Sequence, residues 1–248
     1  MCGRSSLTAT EQELETRFNA SFYSEELERY RPIPNFNIAP TSYCPVLVND
    51  SLVHFRVFRW GLLPIWAKSE KEASKMINIR METILEKSVF RKFLKDKRCI
   101  VPLDGFYEWK VENKKKIPYR VIVKDQSIFA VAGLWSTWQY GSTLLETFTI
   151  LTLPANSFMA QIHDRMPAIL TPENESYWLD NSLSTDEYLQ LLKTYPSDLM
   201  DMYRVSDKVN SVKNNDKDLI ERIVTSDNSP LHNSSPISRQ LTIFDESL

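Results

Sequence analysis

The sequence predicts an α+β fold in which helices flank a mostly antiparallel, barrel-like sheet. Three observations carry that prediction. Strand-like segments crowd the middle of the chain, helical segments lie toward its ends, and no βαβ unit repeats. In chain order, residues 11–19 and 24–30 read as short helices, the first preceded by the capping-type residues Thr8 and Thr10. Residues 53–58 alternate, with His54 and Arg56 set against Val53, Phe55 and Val57, the period of a half-buried strand. Ile84, Val89, Phe90 and Phe93 suggest one helix over 83–94. Strand-like segments follow at 99–103, 106–110, 119–123, 128–135 and 146–153, then helices at 173–179 and 185–193.

The 248 residues, 42% hydrophobic and with six Trp, suffice for one large domain or one domain plus a tail. Composition breaks near residue 225, where Ser, Asn, Asp and Pro take over and little remains to bury. Residues 1–224 are therefore expected to form the folded domain. Residues 225–248 are read as a disordered tail, with a linker over 225–238. No apolar run approaches the roughly 18 residues needed to cross a bilayer. No charged-then-apolar leader pattern is present, so a cytoplasmic protein with no membrane partner is expected.

The formal net charge of −2 argues against a generally basic coat for nucleic acid, but not against a local basic groove. The tail residues Asp227, Asp245, Glu246 and Arg239 account for that charge, so the body is formally neutral. Three cysteines without metal-ligand spacing fit a reducing compartment, and neither a metal nor an organic cofactor is indicated. Cys44 and Cys99 sit beside apolar residues and read as small buried hydrophobes.

Cys2 differs from them. Removal of Met1 would leave it with a free α-amine beside its thiol. An α-amine has a pKa of about 7.7–8, far below that of lysine, so a useful fraction is neutral at physiological pH and can form a Schiff base with an aldehyde. The neighbouring thiol can then add to the imine and close a thiazolidine ring. Only an N-terminal Cys offers both groups in that geometry.

Five further motifs follow in order: Asn37-Ile38-Ala39-Pro40, Trp60-Gly61-Leu62-Leu63-Pro64-Ile65-Trp66, Asn78-Ile79-Arg80-Met81-Glu82-Thr83, Phe106-Tyr107-Glu108-Trp109-Lys110, and Ile162-His163-Asp164-Arg165-Met166-Pro167. With Met1-Cys2-Gly3-Arg4 before them and Val209-Asn210-Ser211-Val212-Lys213-Asn214 after, the series resembles the SOS response-associated peptidase (SRAP) family, which shields abasic DNA. The resemblance runs from residue 2 to about residue 223. It implies the SRAP fold for the 1–224 domain, and a catalytic set of Cys2, Asn78, Glu108 and His163. Asn78 would orient the N-terminal residue and the sugar. Glu108 would move protons at the amine and the opened sugar, and His163 would assist ring opening or reversal of the link. An abasic deoxyribose is mostly a closed hemiacetal, so freeing its aldehyde needs an acid and a base, which a carboxylate and an imidazole supply. The family's usual small residue after Asn78 is Ile79 here; strand alternation would turn it away from Asn78 and Arg80. Out of this context, Glu108 would be an ordinary surface carboxylate and His163 a structural histidine.

The resemblance also makes single-stranded DNA carrying abasic sites the expected partner. Arg4 and Arg80 are then candidates for phosphate contacts, since the planar guanidinium suits phosphate oxygens. Trp66 and Trp109 are candidates for stacking on unpaired bases, and Pro40 for shaping the wall near Cys2. The basic run Lys114-Lys115-Lys116 reads as a solvated hairpin tip, because Glu112 and Asn113 precede it. A monomer is expected, associated with the bacterial nucleoid when on DNA. The same residues fit a cysteine-type peptidase using Cys2 and His163. A noncatalytic adaptor is a third reading, and it would tolerate loss of Cys2.

In the tail, Gln240-Leu241-Thr242-Ile243-Phe244 resembles the peptide by which bacterial replication and repair proteins bind the DNA sliding clamp. A flexible tether would present the apolar side chains of Leu241, Ile243 and Phe244 to a groove, with the Gln240 amide hydrogen-bonding at its entrance. Replacing Gln240 and Phe244 with Ala should abolish co-migration with a bacterial clamp in size-exclusion chromatography; undiminished co-migration would end the clamp reading.

Overall fold

In a computed structural model, residues 3–50, 54–124 and 128–223 are described. Cys2 and the clamp-like residues Gln240, Leu241, Ile243 and Phe244 lie outside the described residues.

The described chain begins with strand β1 (Ser5–Leu7) and helix α1 (Glu11–Phe18). Thr10 starts α1 with a reciprocal capping box: its hydroxyl accepts from the Glu13 N–H, and the Glu13 carboxylate accepts from its own N–H at 2.7 Å. Asn19 ends the helix in the left-handed conformation. Next come β2 (Ser21–Phe22), α2 (Ser24–Tyr30), β3 (Asn35–Ile38), β4 (Tyr43–Val48) and β5 (His54–Trp60). Along β5, Phe55 and Val57 are buried while His54 and Arg56 are half-buried, as their alternation requires.

After β6 (Asn78–Arg80), the single helix expected over 83–94 is two, α3 (Met81–Glu86) and α4 (Ser88–Asp96), with Lys87 extended between them. A continuous helix would set Ile84 and Phe90 about 120° apart around its axis. The break lets Ile84, Phe90 and Leu94 all reach the core, where each is buried. Then follow β7 (Arg98–Leu103), β8 (Gly105–Glu112), β9 (Lys115–Val123), β10 (Phe129–Tyr140), β11 (Thr143–Pro154), β12 (Arg165–Pro167), β13 (Ile169–Leu170), α5 (Pro172–Leu179), α6 (Thr185–Leu191) and β14 (Met200–Arg204). The central strands run longer than their apolar cores suggested, because the ends of the β10–β11 hairpin are exposed.

Five strands close into a mixed barrel in the order β11, β10, β7, β4, β5, with a parallel β5–β11 pairing completing the ring. This matches the barrel-like α+β expectation. Phe58, Val101, Val131, Phe148 and Ile150 lie in the main buried core. The second sheet is antiparallel, ordered β14, β9, β8, β1, β3, and it holds the start of the described chain between β8 and β3. Cys44 and Cys99 are free and buried, and burial raises both thiols, Cys44 to about 12, so neither is a ready nucleophile. Among the described residues, no helix is long and apolar enough to cross a membrane, and no cluster of three His, Cys, Asp or Glu could hold a metal ion.

Two glycines are demanded by geometry. Gly61 has φ of 120°, and a Cβ there would lie 2.6 Å from the Ala73 carbonyl oxygen. This glycine lets the chain turn out of β5 while its N–H still reaches the Phe148 carbonyl at 2.8 Å. Gly105 leaves room for the Arg120 guanidinium, which a Cβ would meet at 2.6 Å.

Candidate functional site

The second sheet fixes the described start of the chain against β8. Ser5 pairs with Phe106, and the Tyr107 N–H donates to the Arg4 carbonyl at 2.9 Å. Glu108 is therefore one residue beyond the point where Arg4 is held. The Arg4 guanidinium extends the attachment sideways: Nη1 donates to Asn37 Oδ1 at 2.7 Å and to the Val209 carbonyl at 2.6 Å, and the group lies 5.9 Å from the Trp109 ring centroid. Asn37 in turn donates to the Ser211 and Asn214 carbonyls at 3.0 and 2.8 Å. One amide thereby ties the Asn37–Pro40 motif to the 209–214 motif.

On the barrel side, β11 organises the site. Strands β6 and β12 both pair with its C-terminal half, and Thr152 opposes Arg80 on one side and Pro167 on the other. Buried Arg165 bridges the two flanking motifs. Its Nη1 and Nη2 donate to the two Glu82 carboxylate oxygens at 2.7 and 2.9 Å, and Nη2 also reaches the Thr152 carbonyl at 2.7 Å. Asn78 and His163 lie four and two residues from that ion pair, so it sets their segments relative to one another. Ile79 is buried and Arg80 exposed, as strand alternation predicted.

His163 sits after a 3₁₀ turn at Met159–Gln161, which is braced by Asn156 accepting the Met159 N–H at 2.9 Å. Its Nδ1 accepts the Arg165 N–H at 2.9 Å and also lies 3.0 Å from the Asp164 carboxylate. These two contacts conflict, because a nitrogen that accepts from a backbone N–H has no proton to share with a carboxylate. The backbone bond is fixed by the chain, whereas the Asp164 side chain is 82% exposed, so the bond to Arg165 decides. In the neutral ring the proton is then on Nε2.

Glu108 and His163 line one cleft of about 490 Å³ together with Trp109, Lys116 and Asn210. Glu108 is only 4% exposed, and burial raises its pKa, with nearby His163 opposing the rise. Trp109 Nε1 donates to Asn210 Oδ1 at 2.7 Å, which orients the indole in the cleft wall. The pairing of a carboxyl whose pKa is raised by burial with an imidazole is suited to moving protons on a bound substrate.

The structure thus brings Glu108, Trp109 and His163 into one cleft, with Arg4 against its wall and Asn78 and Arg80 on a strand tied to the His163 segment. Trp66 and Pro40 are not among the cleft's lining residues. Trp66 is 52% exposed, with its ring 6.5 Å from that of Phe93. Pro40 sits in a turn whose Thr41 N–H donates to the Trp60 carbonyl at 2.8 Å. Two lining residues do not stand out in the sequence: Lys116 falls in a run of lysines with the pattern of solvated surface, and Asn210 lies in a motif that gives it no role.

Comparison with known proteins gives a consistent set of relatives. A family model described as SOS response associated peptidase (SRAP) matches residues 1–212. The abasic site processing protein YoqW of Bacillus subtilis is 46% identical over 225 residues, covering 89% of this chain and 99% of that protein. The abasic site processing protein HMCES of Xenopus tropicalis is 33% identical over 228 residues, covering 77% of this chain and 67% of its own length. A crystal structure of a protein from Bacteroides thetaiotaomicron superposes with a TM-score of 0.81 at 35% identity, over 90% of this chain and 100% of that one.

The environment of Glu108 has a consequence for stability. Its folded pKa is raised above the unfolded value of about 4.3. The contribution of this group is therefore fully present below that value and is lost as pH rises through the folded pKa. Glu108→Gln keeps the shape and removes the buried charge. In thermal melts it should unfold at a higher temperature than wild type near pH 8, with the gap closing toward pH 4. A Gln variant that melts lower at pH 8 would contradict the assignment.

Proposed function

The chain belongs to the SOS response-associated peptidase family, and from that premise we propose that it recognises abasic sites in single-stranded DNA and traps them covalently at Cys2 after Met1 is removed. The observation that carries the proposal is a buried carboxyl and an imidazole lining one cleft beside the described start of the chain. Cys2 is bonded to Gly3, the first described residue.

In the proposed reaction the closed sugar first opens. The C1′ hydroxyl loses its proton, the ring oxygen gains one, and the bond between C1′ and the ring oxygen breaks to give the aldehyde. Glu108 and His163 exchange those protons. The Cys2 amine attacks C1′, and the carbinolamine loses water to form an imine. Sγ then adds to C1′ while the thiol proton passes to nitrogen, closing the thiazolidine. One water is released and no oxidant is required. The raised pKa of Glu108 suits it to hold the proton that the departing hydroxyl needs.

Asn78 orients the sugar in this reading, and Arg80, exposed at the head of α3, meets a phosphate. Arg4 presents its charge from the fixed position set by Asn37 and Val209. Trp109 and Trp66 stack on bases at separate points along the strand. The family description as a peptidase favours one second reading, in which the Cys2 thiol attacks an acyl group with His163 as base. The amine separates the two, because a peptidase needs only the thiol.

The test mixes the mature protein with a single-stranded oligonucleotide carrying one abasic site and resolves the products on a denaturing gel. Wild type should give a heat-stable shifted band. Cys2→Ala, Cys2→Ser and a chain retaining Met1 should not. Glu108→Ala and His163→Ala should slow band formation by about 10²–10⁴-fold where proton transfer limits the rate. No band from correctly processed wild type would sink the covalent reading and move the peptidase reading ahead.

A further inference from the structure

The cleft contains a cation that the proposed chemistry does not use. Lys116 is on β9, one residue pair in from the turn of the β8–β9 hairpin. That turn is tight: Glu112 pairs with Lys115, and Asn113 and Lys114 have φ of 48° and 65°, the left-handed pair found in a type I′ turn. The hairpin register fixes where Lys116 is presented. Directly opposed residues share a face, so the pairs Trp109–Pro118 and Val111–Lys116 occupy one face, and Lys110, Glu112 and Lys115 the other.

Charge is distributed unequally between those faces. On the far face, the Lys110 ammonium is paired with Glu112 at 2.7 Å. The opposite face of this segment carries Trp109, Val111, Lys116 and Pro118 and no carboxylate, while Glu108, which alternation puts on the Lys110 face, also lines the cleft. Val111 is 65% exposed beside Lys116, so the segment offers apolar surface and one positive charge next to each other. Among the described residues that line the cleft, Lys116 is the only Lys or Arg. A single nucleic-acid strand needs such a combination: a flat apolar surface for a base and a cation for a phosphate.

We propose that Lys116 holds the backbone phosphate of a nucleotide adjoining the abasic sugar, which makes the β8–β9 hairpin a strand-positioning arm of the cleft. The inference rests on the reading that the cleft takes abasic single-stranded DNA. Lys116 takes no part in bond making; it sets the register of the strand so that C1′ meets the acid and the imidazole. The neighbouring Lys114, at the turn itself, is not among the cleft's lining residues and provides an internal control.

The test uses the full chain and a single-stranded oligonucleotide with a tetrahydrofuran abasic analogue, which has no aldehyde and cannot be crosslinked. Binding is followed by fluorescence anisotropy across a salt series. A lysine that neutralises one phosphate on a single strand contributes about 0.7 to the slope of log affinity against log salt. Lys116→Gln should lower the slope by about that amount and weaken binding severalfold at low salt. Lys116→Arg should restore both, and Lys114→Gln should behave as wild type. An unchanged slope and affinity in Lys116→Gln, or an equal loss in Lys114→Gln, overturns the assignment. If wild type fails to bind the oligonucleotide at all, the DNA reading fails and this inference falls with it. Normal wild-type binding with an indifferent Lys116→Gln defeats the lysine assignment alone.

Discussion

Everything proposed for this site depends on holding strand β1 still, and the buried guanidinium of Arg120 ties that strand down. It lies beneath β1, where Nη2 donates to Asp104 Oδ1 at 2.9 Å and to the Ser6 hydroxyl at 3.1 Å, while Nη1 reaches the Tyr203 hydroxyl at 2.8 Å. Asp104 accepts in turn from the Ser6 hydroxyl at 2.6 Å and from the Thr8 N–H at 2.5 Å. Burial alone would lower the pKa of Arg120, but Asp104 and the neighbouring phenols outweigh it and keep the group charged. A strand of three residues has too few backbone bonds to stay in place unaided. Removing either member of a buried charged pair typically costs several kcal/mol, so this network makes an otherwise marginal strand a fixed one.

That fixed strand meets the barrel at the cleft, where the two halves of the molecule contribute different chemistry. The second sheet supplies Glu108, Trp109 and Lys116 from a single hairpin. The barrel side supplies His163, and Arg165 couples its segment to the strand bearing Asn78 through Glu82. Burial of Glu108 and the backbone bond to His163 Nδ1 both act on where protons reside, one by raising a carboxyl pKa and the other by setting a tautomer. Neither effect comes from composition. The first arises from residues far apart in sequence arriving at the same place, and the second from a local turn two residues long.

The sequence made part of this legible. Alternation in residues 54–58, the Thr10–Glu13 cap and the placement of helices around a central sheet follow from local periodicity and side-chain chemistry. Short strands such as β1, β3 and β12 were not legible, because three or four residues hold at most two periods of alternation and are held by long-range partners. The break at Lys87 was hidden for a related reason: an apolar count over 83–94 fits one helix, and only the direction of the core forces two. Within the site, Glu108, Asn78 and His163 stood out through ordered motifs. Asn210 did not, since its role depends on Trp109, 101 residues away, and Lys116 was hidden within a run of lysines that reads as solvated surface.

In the proposed covalent trap, the amine and thiol of residue 2 are both consumed at one carbon of the lesion. The most direct measurement is peptide mapping after incubation with an abasic oligonucleotide, nuclease digestion, alkylation and trypsin. Cleavage after Arg4 releases Cys2-Gly3-Arg4 as its own peptide. This peptide should carry the sugar remnant with loss of one water and resist thiol alkylation. A remnant on a lysine, or on this peptide with its thiol still open to alkylation, would contradict it.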